Sequence, residues 1–143
     1  MQDKDIPIEG RKKIIVYVYS YGGDLSAAYS FIAVCESSKT PVITVNMGVA
    51  MSAGLLILLA GHKRYCLKRS QALIHSGSGG IQGTYEQIEE NQKAYKKMVE
   101  DMGIYIRSKT NIDTKLFNKN KTKDWYLTDI EQVELGVVSA IVE

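Results

Sequence analysis

The sequence is poor in the residues that would build a metal site or a disulfide framework. Its 143 residues include two histidines and two cysteines, Cys35 and Cys66. The cysteines lie in apolar segments without CxxC spacing, so they are predicted to be buried thiols in a reducing compartment. Two histidines leave too few ligands at suitable spacing for zinc. We therefore expect no metal and no cofactor.

A strong net charge and a long hydrophobic run are also lacking. The formal net charge is +2, and the basic residues are scattered among acids without an aromatic stacking pattern, which argues against nucleic-acid binding. The longest apolar run, residues 53–60, is far shorter than the roughly 20 residues of a membrane span. The first ten residues lack the apolar core of a signal peptide. We expect a soluble, cytoplasmic protein with no nucleic-acid or membrane partner.

The length and the order of apolar segments predict a single α/β domain over residues 1–143, with residues 1–13 a polar lead. Near-continuous β-prone runs are typical of strands buried on both faces, whereas three- and four-residue spacing indicates helices. Strands are predicted at 14–19, 42–45, 64–67, 72–74, 126–127 and 137–142. Helices are predicted at 25–35, 52–60, 84–108 and 128–135, with a polar, turn-rich stretch at 111–123.

The long predicted helix, residues 84–108, is apolar along one stripe and charged elsewhere. No second long helix is predicted that could cover this stripe. We therefore expect the helix to pack against another subunit.

The segment 48–54 (GVAMSAG) is the most informative part of the chain. Small residues surround Ser52 where a strand gives way to an apolar helix, a turn that can expose a nucleophile beside backbone N–H groups. His75 ends the strand predicted at 72–74, and Asp124 precedes the strand at 126–127. A serine, a histidine and an aspartate are the parts of a hydrolase triad, which is recognised by roles and geometry rather than by order in the chain.

Each of these residues also has a plainer interpretation. Ser52 fits a helix N-cap, and His75 fits a histidine at a strand end. Asp124 lies in a lysine-rich segment, where an aspartate is often a solvated charge. Asp113 competes with it for the third role, but fits a turn or a helix cap better.

Taken in order, the motifs resemble those of the proteolytic subunit of ATP-dependent Clp protease. The similarity covers residues 14–142. It is carried by 19–23 (YSYGG), a turn after a buried strand; by 48–54, the nucleophile turn; by His75, the following glycine-rich loop and the long helix; and by 124–128 (DWYLT). The resemblance implies a fold of stacked strand–strand–helix units, shared with the crotonases, with a protruding handle helix.

The resemblance also implies an activity and a set of site residues. It implies a serine endopeptidase that hydrolyses unfolded polypeptides with Ser52, His75 and Asp124. The backbone N–H groups of Gly22 and Ala53 would bind the oxyanion. Substrate would lie extended along Gly23, Gly79 and Gly80 as an added strand.

Partners follow from the same resemblance. Family members assemble into rings of seven that pair face to face around a closed chamber and work with an AAA+ unfoldase. They carry a further strand–helix–strand portion and an axial loop before the position of Ile14, where this sequence has thirteen residues. Since those parts help to dock the ATPase, partnership with an unfoldase stays open.

Departures from the family pattern keep other functions open. Tyr21 stands where the family has a proline, and Ser76-Gly77 follows His75 in place of Gln-Pro. The alternatives are a catalytically silent structural subunit, a phage capsid-maturation peptidase with the same chemistry, and a crotonase-type acyl-CoA enzyme.

Overall fold

The computed structural model describes residues 5–75 and 82–143. Within these ranges the strands are β1 (Ile14–Ser20), β2 (Val42–Met51), β3 (Lys63–Leu67), β4 (Gln71–Ile74), β5 (Trp125–Leu127) and β6 (Ala140–Val142). The helices are α1 (Leu25–Ser37), α2 (Ala53–Leu59), α3 (Tyr85–Lys109), α4 (Thr114–Asn120) and α5 (Asp129–Glu134), preceded by a 3-10 turn at Ile8–Gly10. The predicted α/β class is confirmed. The predicted substrate contacts Gly79 and Gly80 lie outside the described residues.

Strand β2 is the centre of the sheet. Val45 pairs in parallel with Tyr17 of β1 on one side and with Tyr65 of β3 on the other. Further along β2, Ala50 pairs with Ala72 of β4, on the same side as β3. Strands β3 and β4 therefore form one line interrupted by a short turn. Strand β6 extends the sheet in parallel beyond β3, and β5 runs antiparallel beyond β4.

The core is built around α2, which is apolar on every side. Its leucines Leu55, Leu56, Leu58 and Leu59 are all at most 1% exposed. A helix that is hydrophobic all round must be enclosed, and α2 packs against β1, β2, α1 and the C-terminal half of α3. This burial fixes the position of the turn that precedes α2.

The observed bounds of helix α3 lie within one residue of the predicted ones. Only its C-terminal half packs in the core. It begins at a capping box in which Thr84 and Gln87 satisfy each other's backbone N–H groups. Met102 and Ile106 are buried against α2, whereas residues 85–97 are exposed apart from half-buried Ile88. The first half of this 25-residue helix therefore protrudes from the described part of the chain.

The largest differences from the prediction are two strand boundaries and one helix. Strand β2 continues to Met51, because its second half gains a partner in β4. The terminal strand begins at Ala140 rather than 137, since the N–H groups of Val137 and Val138 both bond to the carbonyl of Gln132. The polar, turn-rich stretch 111–123 contains helix α4, which was not predicted.

A buried polar network, which the sequence did not reveal, ties β2 to α5. The Asn46 side-chain amide donates to Gln132 Oε1 at 3.0 Å and to the Gln71 carbonyl at 2.9 Å. Gln132 donates in turn to the Ser70 carbonyl. Both amide side chains are fully buried, and buried amides need such partners. The network holds the β3–β4 turn against the centre of the sheet.

Candidate active site

Ser52 occupies the turn between β2 and α2 in a strained backbone conformation. Its φ is 55° and its ψ is −118°, in a region that side chains rarely adopt and that is typical of functional turns. Its side chain forms no capping hydrogen bond within the described turn. Ser52 is thus the N-cap residue of α2 by position, as the plainer interpretation predicted, but its hydroxyl does not cap the helix.

The end of β4 brings His75 to the same place. The Ser52 N–H donates to the Leu73 carbonyl at 3.1 Å, and Met51 pairs with Leu73. His75 follows β4 directly, and both Ser52 and His75 line one cavity of about 490 Å³. The two side chains predicted to be nucleophile and base thus face a common space.

Asp124 is brought to the site by the antiparallel strand β5. Ile74 pairs with Trp125 and Leu73 with Tyr126. His75 follows Ile74 and Asp124 precedes Trp125, so each is next in the chain to the last paired residue of its strand. Asp124 is exposed, and it is not among the described residues that line the cavity.

Asp113, the competing carboxylate, has a different task. Its Oδ1 accepts a hydrogen bond of 2.7 Å from the Leu116 N–H and caps α4. The interpretation of Asp113 as a helix cap is confirmed.

Gly22 lies directly against the Ser52 turn. Its φ is +112°, which favours glycine, and a Cβ at this position would lie 3.1 Å from both the Met51 carbonyl and Ser52 Cβ, and 3.7 Å from the Ala53 nitrogen. The predicted oxyanion donors Gly22 and Ala53 are therefore neighbours. The Gly22 N–H, however, donates to Ser20 Oγ at 3.1 Å. To bind a substrate oxygen, the Gly22 N–H must first give up its hydrogen bond to the Ser20 hydroxyl.

The Ser52 cavity runs between α1 and α3. Beyond Ser52, His75 and Gly23, its lining includes Tyr21, Asp24, Leu25, Tyr95, Met98 and Met102. A second cavity of about 700 Å³ between α3 and α4 shares His75, Tyr95 and Met102 with it. More of the surface of both cavities is apolar than polar, although the second also has charged side chains such as Lys96, Glu100 and Arg107.

Tyr21 lines the Ser52 cavity, and its ring packs against the ring of Tyr19. Their rings meet edge to face with centroids 5.9 Å apart, and the two hydroxyls are 3.4 Å apart. The Tyr19 ring also covers Gly48, where a Cβ would lie 2.9 Å from two ring carbons. The sequence marked Tyr21 only as a departure from a family proline. The structure makes it part of the cavity.

The remaining titratable candidates are structural. His62 accepts from the Val42 N–H on Nδ1 at 3.1 Å, and its Nε2 lies 3.0 Å from the Cys35 carbonyl. Cys35 and Cys66 are free and buried, and burial raises the pKa of both thiols. Across residues 5–75 and 82–143, no group of three or more His, Cys, Asp or Glu side chains is placed to hold a metal ion.

A serine on a strained strand-to-helix turn and a histidine line the same cavity, and these are two groups that hydrolysis can use. Comparison with known proteins indicates a peptidase. Residues 7–143 match the Clp protease family, and the chain belongs to that family. Its members are peptidases, which are hydrolases.

Individual relatives are similar over most of the chain. It is 34% identical to the ATP-dependent Clp protease proteolytic subunit 2 of Treponema pallidum over 134 residues, which cover 92% of this chain and 67% of the relative. It is 31% identical to the proteolytic subunit 1 of Bacillus cereus over 137 residues, or 94% of this chain and 71% of the relative. Within the described ranges, no helix has both the length and the apolar character needed to cross a bilayer.

Proposed function

We propose that the chain is a serine endopeptidase that cleaves unfolded polypeptides with Ser52, His75 and Asp124. The observation that carries this proposal is that Ser52 and His75 line one cavity. Ser52 follows β2, His75 follows β4 and Asp124 precedes β5, and the pairing of β4 with β2 and with antiparallel β5 supports a common site for the three residues.

The reaction follows from these positions. Ser52 Oγ attacks the scissile carbonyl while His75 takes its proton, and His75 then returns the proton to the leaving amine. Water attacks the resulting acyl-enzyme with His75 again acting as the base. Asp124 orients the imidazole and stabilises its charged form.

The oxyanion would be held by the N–H groups of Ala53 and Gly22. Ala53 is the first residue of α2, whose N-terminal N–H groups lack partners inside the helix. Each such donor contributes about 3 kcal/mol to the transition state. Substrate would run past Gly23 as an added strand.

Assembly is part of the proposal. The chain would form rings of seven that pair face to face, with the protruding half of α3 packed on a neighbouring subunit. It would act in the cytoplasm, where its free thiols stay reduced. A Clp-type AAA+ ATPase would deliver substrates.

Labelling with a fluorophosphonate tests the nucleophile. We expect a single adduct at Ser52, located by peptide mass spectrometry. Labelling should be lost in Ser52→Ala and reduced in His75→Ala by at least about a hundredfold, because an unassisted serine hydroxyl is a weak nucleophile.

The third residue is tested by a matched pair of substitutions. Asp124→Asn should lower kcat for peptide hydrolysis by about 10³- to 10⁴-fold, since it removes the carboxylate that orients the base. Asp113→Asn keeps a helix-capping side chain and should leave kcat unchanged. Folded protein that reacts with no probe would instead favour a catalytically silent subunit, in which the Ser20 hydroxyl keeps hold of the Gly22 N–H.

A further inference from the structure

The cavity beside Ser52 has an uneven charge distribution. Of the described side chains that line it, one, Asp24, is acidic and none is a lysine or an arginine. The surrounding wall is made of Leu25, Met98 and Met102 with the rings of Tyr21 and Tyr95. Ser26, Ser52 and His75 add polar groups to this described lining, in which Asp24 is the one carboxylate and marks a preferred place for positive charge.

Asp24 is held in position before any ligand arrives. It is the N-cap of α1, and its Oδ1 accepts a hydrogen bond of 3.1 Å from the Ser26 N–H. A carboxylate has about four acceptor positions, of which this bond uses one. Because the cap already orders the side chain, a ligand would lose little conformational entropy in binding to it.

The local field favours a cation despite the nearby helix end. The N-terminus of α1 is equivalent to roughly half a positive charge, which offsets only part of the full negative charge of Asp24. Tyr21 also lines this cavity, and aromatic rings attract cations. Tyr21 and Asp24 flank Gly22 and Gly23, so the charge lies beside the path proposed for the substrate backbone.

We infer that this cavity accepts a lysine or arginine side chain of the substrate near the scissile bond, and that Asp24 is the residue that selects it. The inference rests on the proposed peptidase function and names a preference within it. It concerns a residue that follows the Gly22-Gly23 turn and takes no part in the chemistry.

Peptide binding to the Ser52→Ala chain tests this without hydrolysis. We would scan one lysine through an alanine-rich fluorescent peptide and compare each peptide with its norleucine counterpart, which has the same four-carbon stem without the charge. At one position the lysine peptide should bind about fivefold more tightly by anisotropy. Raising the salt concentration should reduce this ratio.

Two substitutions in the same background separate selection from general charge. Asp24→Asn should bring the lysine-to-norleucine ratio close to one, because asparagine caps a helix as well as aspartate does. Asp113→Asn changes the net charge equally at another helix cap and should leave the ratio as it was. A ratio near one at every position, or an equal change in both variants, would overturn the inference and leave Asp24 as a helix cap only.

The outcome is distinguishable from that of the proposed function. If the active chain is labelled at Ser52 and cleaves peptides without any preference for lysine, the peptidase assignment stands and the role of Asp24 is wrong. If Ser52 is not labelled but the binding ratio depends on Asp24, the binding site stands and the catalytic assignment fails.

Discussion

At the scale of single residues, the strained backbone of Ser52 leads to a stability prediction. Its φ of 55° is unfavourable for any residue with a Cβ and is permissive for glycine. We expect the free energy of unfolding of Ser52→Gly to exceed that of Ser52→Ala by about 1 kcal/mol. Both variants lack the nucleophile. Urea denaturation at a fixed protein concentration measures the difference.

The control is an ordinary helical serine. Ser30 lies exposed in the middle of α1, where glycine is less stable than alanine by about 1 kcal/mol. Ser30→Gly should therefore be less stable than Ser30→Ala. This order is the opposite of the one expected for the two Ser52 variants. The same order at both sites would mean that Ser52 does not have the backbone conformation of a nucleophile turn.

At the scale of elements, the turn between β3 and β4 depends on a carboxylate from α5. Arg69 has a φ of 68°, and its N–H donates to Asp129 Oδ2 at 2.8 Å while the Ile130 N–H donates to Oδ1. These hydrogen bonds, chiefly that from Arg69, lower the pKa of Asp129. Since β4 carries His75, this turn also helps to position the site.

A lowered pKa makes the stabilisation dependent on pH in a defined direction. The contribution is fully present above the usual pKa of 3.8 and is lost as the pH falls through the lower value of the folded state. Wild type should have a higher melting temperature than Asp129→Asn at pH 7, and the gap should close in acid below about pH 4. Asp101→Asn on α3 is the control for the change in net charge. If the difference in melting temperature between wild type and Asp129→Asn stays constant with pH, the Asp129 carboxylate is not the source of the stabilisation.

The sequence predicted best those elements that are determined by residues close together in the chain. The limits of α3 followed from apolar residues at three- and four-residue spacing, and the start of α5 followed from the capping residue Thr128, which acts within one helical turn. The extension of β2 to Met51 and the pairing of Asn46 with Gln132 depend on partners distant in the chain, which periodicity cannot reveal. For the same reason the motifs supplied Ser52, His75 and Asp124 as candidates, but only the structure showed that Ile74, which precedes His75, pairs with Trp125, which follows Asp124.

At the scale of the whole molecule, the protruding half of α3 is the feature that remains to be explained. The apolar stripe that Met102 and Ile106 bury in the core continues along the helix to Ile88 and Tyr85, and Tyr85 is 78% exposed. An isolated helix with a bare apolar stripe is only marginally stable in water. We therefore expect the stripe to be covered by a neighbouring subunit, as the proposed ring assembly would require.

Ile88→Lys should break this assembly without unfolding the subunit, because the substitution lies outside the core. Light scattering after size exclusion at micromolar concentration should show subunits or small fragments in place of the ring, with unchanged circular dichroism. Glu90→Lys, on the opposite face of the same helical turn, changes the charge by more and should leave the ring intact. If the wild-type chain is itself a monodisperse monomer, or if both lysine variants assemble alike, the stripe is not the subunit contact and the closed chamber loses its structural support.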